Sequence, residues 1–132
     1  MGSKIYATAF FGKTYDDALK LLVEVRDYLE AYQPNQAKQA EPAIRLALTC
    51  LTMRLTAQLT DIMAWLLVQK AVHTGEMHSD EGKEGRNSLR RWIDFDPEQT
   101  KLPIPGKLKS LLDRSQTLFE RVERLEVMIN QK

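Results

Sequence analysis

The chain has 132 residues, 43% hydrophobic, 28% charged and 8% aromatic, which suits one domain with one core and excludes a disordered chain. Its 19 basic and 18 acidic side chains leave a net charge of +1, so no overall field draws it to DNA or an anionic membrane.

Residues 1–13 read as an N-terminal extension, with no apolar run long enough for a signal peptide. Residues 5–11 hold the only hint of strand alternation. Thr14 is the expected N-cap of a first helix, with Asp17 three residues on. Tyr15, Leu19, Leu22, Val25, Leu29 and Tyr32 recur at helical spacing and form its expected inner face. Pro34 ends the helix near Gln33, and residues 33–40 form a polar connection.

The second helix is long. Pro42 suits its first turn, no Pro or Gly interrupts residues 43–74, and Gly75 is a good terminator. Ile44, Leu48, Leu51, Leu55, Leu59, Ile62, Leu66 and Gln69 set its inner face. Thr49, Thr52, Thr56 and Thr60 form a stripe that suits either a close helix approach or a polar interface strip. Residues 63–68, Met-Ala-Trp-Leu-Leu-Val, are apolar on every face, which demands burial all round. One three-helix bundle covers one side of each helix. Either the segment after Gly75 or a second copy of the chain must cover the stretch; the glycine-weakened segment covers little area, so a second copy is expected on Met63, Trp65, Leu66 and Leu67.

Ser79 could cap a short extra helix, which Gly82 and Gly85 weaken. Residues 92–106 hold Pro97, Pro103, Pro105 and Gly106 and form a connecting loop. From about Lys107, Leu108, Leu111, Ser115, Leu118, Val122, Leu125 and Ile129 mark a last helix. The expected fold is all-α: a single domain over 1–132, an antiparallel bundle of three long helices with a possible short fourth, dimeric.

Sites of chemistry are absent from this pattern. His73, Glu76, His78 and Asp80 are the only metal-like cluster, but histidines five apart across a glycine do not share a helical face. No nucleophile elbow, P-loop or dinucleotide fingerprint occurs. Cys50, the single cysteine, fits a reducing cytoplasm and reads as a buried, inert packing residue. Asp61 sits mid-helix and reads as solvated or paired with a residue such as Arg54. Neither an enzyme nor a cofactor nor a membrane span is expected.

Partner recognition is expected around Arg90, Arg91, Trp92 and Phe95. Trp92, Ile93 and Phe95 crowd a short acidic loop, either as a plug folded onto the bundle or as anchors for a partner. Arginines interleaved with an aromatic over residues 86–92 also suit nucleic acid, but Asp94, Asp96 and Glu98 repel phosphate. A dimeric helical regulator acting through residues 86–92 is the alternative function.

The blocks Arg54-Leu55-Thr56, Met63 through Val72 and Gly75-Glu76 resemble the most characteristic segment of the alphaproteobacterial regulator of CtrA degradation family. Tyr15 through Leu19, Arg26 through Leu29, and Leu108, Leu111, Arg114, Ser115, Leu118, Phe119, Arg121, Val122, Arg124, Leu125 and Met128 are similar to it as well. The resemblance implies a homodimeric three-helix bundle without catalytic residues or cofactor. It further implies a cytoplasmic adaptor that helps the AAA+ protease ClpXP degrade cell-cycle regulators. A response-regulator-type priming partner and a cargo regulator such as CtrA would be its other partners.

Overall fold

The computed structural model describes residues 2–31, 41–76, 89–93 and 100–130, with side chains from residue 9 to residue 129. Among these residues there are three helices and no strand: α1 (Gly2–Ala31), α2 (Pro42–His73) and α3 (Gly106–Asn130). The expected connection at 33–40 and the short helix after Ser79 lie outside the described residues.

Helix α1 starts twelve residues earlier than its expected cap. Residues 5–11 are helical, and Thr14 is a core residue, only 1% exposed. The inner face is also displaced by one position. Phe11, Thr14, Ala18, Leu21, Val25 and Tyr28 are buried, whereas Leu19 is exposed and Tyr15, Leu22 and Leu29 are half-buried. These six repeat at three-four spacing, so the helix meets its neighbours along one continuous seam. The small side chains of Thr14 and Ala18 leave room for large ones from the facing helices. Phe11 anchors this early part of the helix to the core. Its ring meets Trp65 edge-on at 6.3 Å and His73 at 5.1 Å.

Helix α2 agrees with its expected bounds. Pro42 opens it, Glu41 precedes it in extended conformation without a side-chain cap, and Thr74 closes it. Gly75 takes a positive φ of 83°, which a side chain would strain. Its N–H donates to Val72 O at 3.2 Å and that of Glu76 to Ala71 O at 2.9 Å. These two bonds are the Schellman stop and satisfy the last carbonyls. Leu51, Thr52, Leu55, Gln58, Leu59, Ile62, Trp65 and Leu66 are buried. In α3, Leu108, Leu111, Leu112, Ser115, Leu118, Phe119 and Val122 are buried, and Leu125 and Ile129 half-buried, as their periodicity requires.

The relative directions follow from the pairs across helices. Glu24 pairs with Arg114 and Asp17 with Arg121, so α1 and α3 are antiparallel. Phe11, early in α1, meets the late α2 residues Trp65 and His73, so α1 and α2 are antiparallel too. Helices α2 and α3 therefore run in the same direction. Parallel neighbours cannot be joined by a tight turn; the chain must return along their length. With 25 residues, α3 is roughly 37 Å long. The connection 74–105 joins the two helices, and part of what is described of it packs on the core. Ile93 is buried in the common core, with Leu89, Leu102 and Ile104 half-buried against it.

Candidate protein-interaction surfaces

The return segment 89–93 is pinned to α2 by one side chain that the sequence reading passed over. Gln58, 3% exposed, donates from Nε2 to Arg90 O at 2.8 Å and accepts the Trp92 N–H on Oε1 at 2.9 Å. Its amide thus gives an extended backbone one donor and one acceptor, as a neighbouring strand would. The signal was available: a glutamine lying at helical spacing between the core residues Leu55 and Ile62 must be satisfied by something. One turn further on, Asp61 accepts the indole N–H of Trp92 at 2.8 Å. The guanidinium of Arg91 stacks 4.6 Å over the Phe119 ring and lies 3.6 Å from Glu123. Ile93 fills the core below.

Of the four expected partner-binding residues, Trp92 is therefore half-buried and Arg91 engaged with α3, while Arg90 is exposed. Phe95 lies outside the described residues. The basic and aromatic groups of 91–92 are committed to the chain itself.

The expected dimer residues separate into two pairs. Trp65 and Leu66 are buried within the single chain, Leu66 at 1% exposure. Trp65 meets Phe11 of α1, and neither Trp65 nor Leu66 is exposed to a second copy. Met63 is half-buried, and Leu67 is 51% exposed. Leu67 ends a stripe of another origin. Leu46, Cys50, Met53, Ala57, Thr60, Ala64 and Leu67 repeat at four-three spacing along the outer face of α2. All are exposed except Ala57, which is half-buried, and none carries a charge. Leu46 and Met53 are 66% and 67% exposed. Such a face, uncharged over about six turns, has the spacing of a helix-packing seam.

Cys50 is exposed on this stripe, not buried as expected. The core side of α2 at this level is Leu51, Thr52 and Leu55, which turns residue 50 outward. Beside it a cleft of about 290 Å³ is lined by Ala47, Cys50, Leu51, Arg54, Thr100 and Leu102. The threonine stripe is resolved as well. Thr49, Thr52, Thr56 and Thr60 donate their hydroxyls to the carbonyls of Arg45, Leu48, Thr52 and Thr56, one turn back. Their polarity is thus spent within the helix, which leaves methyl groups for packing.

The Glu24–Arg114 ion pair joins α1 to α3 with two hydrogen bonds. Arg114 donates from Nη1 to Glu24 at 3.0 Å and from Nη2 to its other oxygen. That bidentate pair holds the Glu24 carboxyl below the usual range and raises the Arg114 guanidinium. Burial pushes the Tyr28 hydroxyl up. His73 Nδ1 lies 2.8 Å from Gln69 O, and His78 lies outside the described residues. Among the described residues no group of three His, Cys, Asp or Glu side chains could hold a metal ion. Nor is any described helix long and apolar enough to cross a membrane.

No curated protein matches the chain. A crystal structure of RcdA from Caulobacter crescentus CB15 is similar, with 30% sequence identity and a TM-score of 0.66 over 88% of this chain and 87% of that one. The family model DUF1465, described as a protein of unknown function, matches residues 2–132. The chain belongs to the DUF1465 family and is a relative of RcdA, the Caulobacter regulator of CtrA degradation.

Proposed function

We propose that this protein is a non-enzymatic, cytoplasmic adaptor of regulated proteolysis, which as a homodimer helps deliver cell-cycle regulators to the ClpXP protease. The similarity to RcdA over nearly the whole of both chains carries this reading. A response-regulator-type priming partner and a cargo regulator are the further partners it implies.

The outer face of α2 supports the homodimer. Leu46, Met53 and Leu67 stand on one uncharged stripe with small residues between them. Two copies of such a stripe can pack without burying a charge, and small residues let the helices approach. The interface so placed keeps Leu67, has Met63 at its rim and excludes Trp65 and Leu66.

A reconstituted degradation assay tests the function. ClpXP, the priming partner and a CtrA-type response regulator are combined with and without this protein, and cargo is followed on gels. Faster loss of cargo with the protein is the expected result. An unchanged rate, with no binding of protease, priming partner or cargo, would overturn the reading.

A further inference from the structure

Residues 89–93 behave as a ligand of the rest of the molecule. They run extended between two parallel helices, and their backbone is held by the side-chain amide of Gln58. A carbonyl and an N–H two residues apart are what any extended peptide offers, so this contact reads backbone and not sequence. Sequence enters through three flanking contacts. Asp61 takes an indole donor, Phe119 with Glu123 takes a cation, and the core takes one aliphatic side chain. The groove walls that meet the segment carry two carboxylates, Asp61 and Glu123, so the site selects basic peptide.

Two features make this occupant exchangeable. Only Ile93 is buried; Leu89 and Trp92 are half-buried, and Arg90 and Arg91 are exposed. Segments with few buried apolar contacts open locally at far less cost than the core. The connection also has length to spare. Spanning roughly 37 Å takes about eleven extended residues, and 74–105 holds many more. Releasing 89–93 therefore leaves α2 and α3 joined and unstrained.

We infer that the α2–α3 groove is a recognition site for an extended, basic, tryptophan-bearing segment of a partner protein. The chain's own residues 89–93 occupy it as a displaceable stand-in. Binding is thus gated: a partner segment enters only when the strap leaves. The inference needs no protease, so failure of the degradation assay leaves it standing.

The test uses the full chain and a labelled, end-capped peptide of this protein's residues 89–93. Hydrogen exchange on the unaltered protein should show the Trp92 amide exchanging at least about a hundredfold faster than core amides such as Leu59 and Val122. The peptide should bind the variant Trp92→Ala/Ile93→Ala saturably and bind the unaltered protein at least about tenfold more weakly, because there the groove is filled. Adding Gln58→Leu to that variant should abolish peptide binding while circular dichroism stays helical. Exchange of Trp92 only at the rate of global unfolding would overturn the inference, and this measurement needs no variant to fold. A folded double variant that ignores the peptide would overturn it equally.

Discussion

Leu66 and Leu67 are adjacent and chemically identical, yet the structure assigns them opposite fates. Leu66 is 1% exposed in the core, and Leu67 is 51% exposed at the end of the outer α2 stripe. Fully burying a leucine contributes about 1.5–3 kcal/mol, so covering the open half of Leu67 in a dimer contributes about 1 kcal/mol. A two-fold axis counts it twice. Leu67→Glu loses that sum and places two carboxylates against an apolar seam, for a total near 4 kcal/mol, or about a thousandfold in dissociation constant. The protomer itself should change by no more than about 0.5 kcal/mol, since the site is on its surface. Leu66→Asp instead removes a core side chain, at about 2–5 kcal/mol, and buries an unpaired charge at several more. That approaches the entire stability of a domain of this size.

Sedimentation at micromolar concentration with a parallel thermal melt separates the two. Leu67→Glu should sediment as a folded monomer with an unchanged melt, and Leu66→Asp should show no cooperative melt. If Leu67→Glu remains dimeric, the outer stripe is not the interface. If the unaltered protein is monomeric, the homodimer is refuted, and the exposed stripe needs another occupant. If Leu66→Asp folds, the assignment of that side chain to the core is wrong.

Three further outcomes follow from individual side chains. Ser115 Oγ is buried without a hydrogen-bond partner among the described residues, so Ser115→Ala should stabilise the fold by about 1 kcal/mol and raise the melting temperature by about 4 °C. Tyr28 ionises above its ordinary range, so the unfolded chain releases that proton first. Its contribution is intact below about pH 10 and is lost as pH rises through the folded value, and Tyr28→Phe should flatten that alkaline fall in stability. Cys50 is exposed, so a disulfide thiol reagent should modify it in the folded protomer; a homodimer through the α2 stripe should slow the reaction, and Leu67→Glu should restore it.

Legibility varied with how local the deciding physics was. Helix α2 could be read almost to the residue because its ends are marked by Pro42 and Gly75, whose backbone preferences act in place. Helix α3 was readable because its stripe of leucines has a polar opposite face. Helix α1 was misread at its start because Thr14 matches a cap, and a cap signal cannot tell an exposed hydroxyl from one that tertiary packing buries. The same packing moved its seam from Leu19 to Ala18: which of two adjacent three-four repeats turns inward depends on the partner helices. The all-round apolar stretch of α2 was expected to be covered on every side, but in the single chain only Trp65 and Leu66 are buried, and Ala64 and Leu67 are exposed. What remains uncovered is the face from Leu46 to Leu67, which shows no bulky apolar run. The direction of α3 was implicit in the length of the connection. Thirty-odd residues are far more than a hairpin between antiparallel helices needs, and they suffice to return the chain along a parallel pair. That return places an extended segment in the α2–α3 groove, where the Gln58 amide meets its backbone. A glutamine amid leucines was the sequence signal that some polar group had to lie against the helix; that this group is backbone is what the structure adds.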